Sequence, residues 1–132
     1  MRLTLQTDHA LRILITLGRA SETVVPVEAL ARQFGASKNH LMKTAQALAS
    51  AGFVASVRGR SGGIRLALPP ETISIRKVVE AIEPDFHVAE CFHNDRCTFM
   101  PGCRLRGLLG QARAAFLQTL GSKSLADLIR AG

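Results

Sequence analysis

Apolar positions near the start of the chain recur at helical spacing. Leu11, Leu14, Ile15 and Gly18 stand at i, i+3, i+4 and i+7, which predicts a first helix capped by Thr7 and running to about Arg19. The spacing returns at Val27, Leu30, Ala31 and Phe34, preceded by Pro26, a residue suited to a first helical position. Gly35 reads as the C-cap of this short helix and Ser37 as the N-cap of the next. That third helix is predicted from Lys38 to about Ala51, closed by Gly52, with a core face of Leu41, Met42, Ala45, Leu48 and Ala49. Only Gly35, Ala36 and Ser37 separate the second and third patterns, and a short glycine-containing turn between two helices is the helix-turn-helix arrangement.

Beyond Gly52 the period changes. Phe53–Val57 and Ile64–Leu68 read as strands, the second alternating apolar and polar as a half-buried strand does. Between them lies Arg58-Gly59-Arg60-Ser61-Gly62-Gly63, a hairpin tip, and Pro69-Pro70 ends the unit. Ser74 caps a helix to about Ile82, while residues 83–103 show no period. Leu105, Leu109, Ala112, Phe116 and Leu120 then form one stripe of a long helix, and Ser122 or Ser124 caps a short last one. The expected fold is mainly α with a small β-hairpin wing: a winged helix-turn-helix over 1–82 (helix-turn-helix about 27–51, wing about 54–68), an irregular loop over 83–103, and a long helix with a short C-terminal one over 104–132. A long helix with an apolar stripe needs a surface to bury it, and a second copy of the chain supplies one, so a homodimer is expected.

Composition narrows the functions open to this fold. At 132 residues the chain is one ordinary domain, globular by its 47% hydrophobic and 20% charged content. It has no Trp or Tyr and six Phe, which argues against a stacking platform for single-stranded nucleic acid or sugars. No apolar run reaches the roughly 18 residues of a membrane span. Asp8, His9 and Arg12 interrupt the N-terminal apolar stretch, so it does not read as a signal peptide, and a cytoplasmic location without membrane contact is expected. No metalloprotease or serine-hydrolase motif occurs, and His9 beside Asp8 reads as a helix-start feature, so no enzyme is indicated.

Charge points to a polyanion. Residues 1–68 hold nine Lys and Arg against three acids, and the remainder eight against seven, within a total of +7. On the third helix, 100° per residue sets Asn39, Lys43, Gln46, Ala47 and Ser50 opposite the core face, with His40 at its margin. Such a face can enter a major groove, where Asn and Gln suit adenine and Lys suits guanine or phosphate. Arg58 and Arg60 on the wing are placed for phosphates or a minor groove. A nucleotide-binding loop is excluded at the tip, which lacks Gly-Lys-Ser/Thr and precedes a strand. Double-stranded DNA is therefore the expected partner.

Cys91, Cys97 and Cys103 are spaced C-x5-C-x5-C inside the aperiodic segment. An odd number of thiols in a reducing compartment suggests ligands or reactive groups in place of disulfides. Zinc knuckles prefer shorter spacings, which leaves a zinc-stabilised DNA-binding module as an atypical alternative. Thiolates also suit iron–sulfur clusters. A four-iron cluster on three thiolates needs a further ligand: His87 or His93 nearby, a distant carboxylate, or solvent.

Taken together these residues resemble the iron–sulfur winged-helix regulators of bacteria, over nearly the whole chain. The resemblance rests on Leu3-Thr4 through Thr7-Asp8 and Ala10-Leu11-Arg12, on Ser37-Lys38-Asn39-His40-Leu41 with Lys43, and on Ala51-Gly52-Phe53-Val54. It continues through Val57-Arg58-Gly59-Arg60-Ser61-Gly62-Gly63-Ile64-Arg65-Leu66, Cys91, Cys97 and Pro101-Gly102-Cys103-Arg104-Leu105. The IscR type of this family carries a histidine ligand three residues after its last cysteine, where this chain has Arg106. The chain is similar to the NsrR-type, nitric-oxide-sensing branch in its Cys-Arg-Leu, its Ser-x-Asn-His helix start and Asp8. That resemblance implies a homodimeric repressor on a pseudo-palindromic operator, contacted by Ser37, Asn39, His40, Lys43, Arg58 and Arg60. It implies a cluster, [4Fe-4S] with [2Fe-2S] as the alternative, held by Cys91, Cys97 and Cys103, with Asp8 of the other subunit as fourth ligand. Nitric oxide is then the signal that lowers DNA affinity; cluster supply, iron or redox state are the alternative signals for the same fold.

Overall fold

The computed structural model describes residues 2–20, 23–94 and 96–130. Helix α1 spans Leu5–Arg19 and starts a turn earlier than predicted. Its N-cap is Thr4, not Thr7: Thr4 has extended backbone and its Oγ1 accepts the Thr7 N–H at 3.3 Å. Thr7 instead sits buried in the first turn. The core face of α1 is Ala10, Ile13, Leu14 and Leu17, rotated from the expected stripe, with Leu11 and Ile15 packed at its edge. Gly18 lies under Ile129, whose Cγ2 is 2.9 Å from where a Cβ would stand.

Helices α2 (Val27–Phe34) and α3 (Lys38–Ser50) meet at the predicted turn, Pro26 being the N-cap of α2 instead of its first residue. Gly35 ends α2 in left-handed conformation at φ 62°, which lets the chain reverse within three residues. Leu41, Thr44, Ala45 and Leu48 form the core face of α3. Met42 is 40% exposed, contrary to the apolar pattern, and Thr44 takes its place because its hydroxyl donates to His40 O at 3.0 Å and so enters the core satisfied. Ala47, expected outside, packs at the core's edge.

The wing is an antiparallel pair, β1 (Val54–Val57) and β2 (Gly63–Leu66), in register Val54↔Leu66 to Val57↔Gly63. Its base is joined to the residues entering α2: Val25 N–H donates to Ile64 O at 2.8 Å and Ile64 N–H to Val25 O at 2.9 Å. Helix α4 (Ile75–Ile82) buries Ile75, Val78, Val79 and Ile82. After a loop with a short 3-10 turn at Glu90–Phe92 comes α5 (Arg104–Gly121), then α6 (Leu125–Ile129), capped by Ser124 with Asp127 in a reciprocal capping box. Leu125 returns to the core formed by α1, α3, α4 and the wing base, and its N–H donates to Ile73 O at 2.8 Å. Burial of this apolar cluster is what holds the helix-turn-helix and the wing in one rigid unit.

Candidate functional site

Two surfaces carry the chemistry the sequence singled out. On the first, Ser37 caps α3, its Oγ accepting the His40 N–H at 3.5 Å, and Asn39, His40, Lys43, Gln46 and Ser50 are all exposed. Arg58 and Arg60 are exposed at the hairpin tip. A groove separates α3 from the wing, lined on one side by Lys38, Met42 and Gln46 and on the other by Ser56, Gly59 and Arg60. The α3 polar face meets the basic tip across this groove at Gln46, whereas His40 and Lys43 line a separate recess with Leu5, Gln6 and His9 of α1. Lys38 pairs with Glu28 of α2 at 2.6 Å, and that hydrogen bond and charge hold the Glu28 carboxyl below its usual range. The pair neutralises one acid beside the basic face.

The second surface is the loop between α4 and α5. Cys91 sits in the Glu90–Phe92 turn, Cys97 in a turn closed by Met100 N–H on Cys97 O at 3.1 Å, and Cys103 at the N-cap of α5, its Sγ accepting the Arg106 N–H at 3.4 Å. All three are half-buried and free of disulfides. Among the described residues no three His, Cys, Asp or Glu side chains converge on a point that would hold a single metal ion. The donor set nonetheless fits an iron–sulfur group chemically: three soft sulfurs share one loop outside the core. His87 and His93 meet edge to face with ring centroids 5.5 Å apart. Asp8 is paired with Arg12 at 3.1 Å on the open surface of α1. Within one chain the structure does not bring it to the cysteines.

One contact that the sequence did not disclose ties the end of α4 to the start of α1. Glu83, at the end of α4, accepts the Thr4 N–H at 3.2 Å, the Thr4 hydroxyl at 3.1 Å and the Thr7 hydroxyl at 2.5 Å. The chain entering the cysteine loop is thus tied to the start of α1, within one turn of Asp8. No local pattern marks this residue, because its partners lie more than seventy positions away.

The sequence profile of the Rrf2 family, described as iron-dependent transcriptional regulators, matches residues 3–131. The chain belongs to the Rrf2 family. Within it the likeness is to the NsrR type. The chain is 41% identical over 132 residues to the HTH-type transcriptional regulator NsrR of Bacillus licheniformis, covering 98% of this chain and 92% of that one. To the NsrR of Bacillus subtilis it is 41% identical over 134 residues, covering 98% and 91%. Among solved structures, CymR, the global cysteine regulator of Bacillus subtilis, superposes with a TM-score of 0.81 at 24% identity, covering 98% of this chain and 96% of that one. The winged-helix architecture of Rrf2 regulators, read from the helix and hairpin pattern, is the one found here. As an Rrf2 protein the chain is a transcriptional regulator, and no described helix is long and apolar enough to cross a membrane.

Proposed function

We propose that this Rrf2 protein is a homodimeric repressor that binds a pseudo-palindromic operator and releases it on exposure to nitric oxide. The observation that carries the reading is the groove between α3 and the wing, with Lys38 and Gln46 on one wall and Arg60 on the other, beside the exposed Asn39, His40 and Lys43 of the same helix. Asn39 and His40 meet base edges in the major groove, Lys43 a guanine or a phosphate, Ser37 holds the helix start that they share, and Arg58 and Arg60 contact backbone or minor groove.

Cys91, Cys97 and Cys103 hold an iron–sulfur cluster, [4Fe-4S] in preference to [2Fe-2S], and Asp8 completes its ligation from the other subunit. When bound, the cluster supplies irons that nitric oxide can ligate. Asp8 as a ligand gives up its pairing with Arg12, so the ligand state of the loop is felt at α1, whose inner face packs on the helix-turn-helix core. A 100-fold loss of operator affinity needs about 2.7 kcal/mol of differential stability between the two states.

The deciding experiment titrates anaerobic holoprotein with nitric oxide and follows operator binding by gel shift. Release at a few equivalents per cluster is expected. Indifference to nitric oxide, with release on iron chelation instead, favours a regulator of cluster supply or iron, in keeping with the family's description as iron-dependent. Colourless protein with stoichiometric zinc overturns the cluster altogether.

A further inference from the structure

Phe92 follows Cys91 directly, and its half-buried ring has a specific seat. The Arg113 guanidinium lies over it at 4.6 Å from the ring centroid and the Arg106 guanidinium at 5.5 Å. Between them Gly110 leaves the helix bare, so the ring tip stands 4.0 Å from where a Cβ would be. Arg106, Gly110 and Arg113 are spaced i, i+4 and i+7, one face of α5, which makes this a cradle built by a single helix. Arg113 also donates to Phe86 O at 3.3 Å, fixing the start of the same loop. A guanidinium has no lone pair to offer iron. Stacked on an aromatic face it has another use, since cation–π attraction persists where water is partly excluded.

We propose that Phe92 is a positioning residue for Cys91, clamped between Arg106 and Arg113 so that the thiols of Cys91 and Cys103 are both referenced to the first turns of α5. Cys103 is fixed there as the N-cap, and Cys91 is one peptide from the clamped ring. Among the described residues Cys97 has no such anchor on α5; its carbonyl closes a turn within the loop by accepting the Met100 N–H. The consequence for the cluster rests on the ligand reading above, whereas the anchoring of Cys91 does not.

The test uses full-length apoprotein and site-resolved alkylation by iodoacetamide, followed by mass spectrometry. Phe92→Leu, which keeps apolar bulk and removes the ring, is expected to raise the rate at Cys91 by at least about five-fold, the factor for one exposed cation–π contact where two are lost, and to leave Cys97 at the parent rate. Phe92→Tyr keeps the ring face and restores the parent pattern. Arg113→Gln also raises Cys91 reactivity, and once Phe92→Leu is present it adds only what comes from its lost bond to Phe86 O, because the cation–π contact is common to both. An unchanged Cys91 in Phe92→Leu overturns the proposal; so does an equal rise at all three cysteines, or a Phe92→Tyr variant that behaves as Phe92→Leu. Anaerobic reconstitution in parallel separates the two readings. Parent protein that takes up no iron and sulfide removes the cluster and leaves the thiol pattern standing. Parent and Phe92→Leu proteins that load equally and lose iron to a chelator at the same rate show that the anchor does not serve the cluster.

Discussion

Thr7 shows how one side chain can change role when a distant partner is supplied. In sequence it is a good helix cap, but Thr4, three residues earlier, takes that place, and the Thr7 hydroxyl turns to the Glu83 carboxylate at 2.5 Å from a fully buried position. A hydrogen bond to a charged acceptor contributes about 1.5–3 kcal/mol, and a valine there fills the same volume without it. Thr7→Val is therefore expected to lower the urea unfolding free energy by about that amount, with Thr7→Ser much closer to the parent. A Thr7→Val midpoint equal to the parent's shows that Glu83 is held by Thr4 alone. Local reading failed at Met42 and Thr44 for a related reason. Periodicity ranks side chains by apolarity, and it has no access to the Thr44 hydroxyl's bond to His40 O, which makes a polar side chain acceptable in the core.

At the level of elements, the helix-turn-helix was legible because its signals are local: Gly35 and Ser37 bracket a turn whose backbone they dictate. The wing was legible as a hairpin, though not its attachment. Gly63 lies where a Cβ would come within 2.2 Å of Val25 O, so β2 can approach the chain before α2 only with glycine at that point. Gly63→Ala forces the wing away from its bridge to Val25, at about 1–3 kcal/mol for an overpacked contact. A lower melting temperature together with weakened operator binding is expected, since the wing then leaves the groove it shares with α3. Intact stability and affinity in Gly63→Ala show that the bridge does not place the wing. The two halves of the proposed DNA-facing surface separate by substitution. Arg60→Ala weakens binding to operator and random duplex alike and reduces the salt slope by roughly one, as expected for one lost phosphate contact. Asn39→Ala blurs preference at one or two base pairs, measured by binding-site selection, and leaves the slope unchanged. Parent-like behaviour in both variants displaces the interface from α3 and the wing.

Across the whole molecule, the charge excess in residues 1–68 was visible from counting, whereas the use of α5 depends on three dimensions. Its apolar stripe lies along a seam: Leu109, Phe116 and Leu120 are half-buried, Leu120 against the core and Phe116 beside a recess with Leu3 and Phe86, while Leu105, Leu108 and Ala112 are exposed. Leu105 and Leu108 are each 61% exposed, a costly arrangement for a lone chain and an ordinary one for a helix that meets its own copy. A dimer through this face brings two α3 helices to one operator, and the second half-site is then bound at high effective concentration. Leu108→Glu sets a charge in that contact without touching the core, so each subunit's stability should stay within about 0.5 kcal/mol of the parent. Light scattering should report a monomer, and operator affinity should fall by roughly 100-fold or more as the linked second contact is lost. Ala114→Glu adds the same charge on an exposed position about 120° around the helix and should leave the dimer intact. A Leu108→Glu protein that remains dimeric, or an Ala114→Glu protein that does not, places the subunit contact on another face of the molecule, and with it the route that the proposed Asp8 ligand would take to the other chain's cysteines.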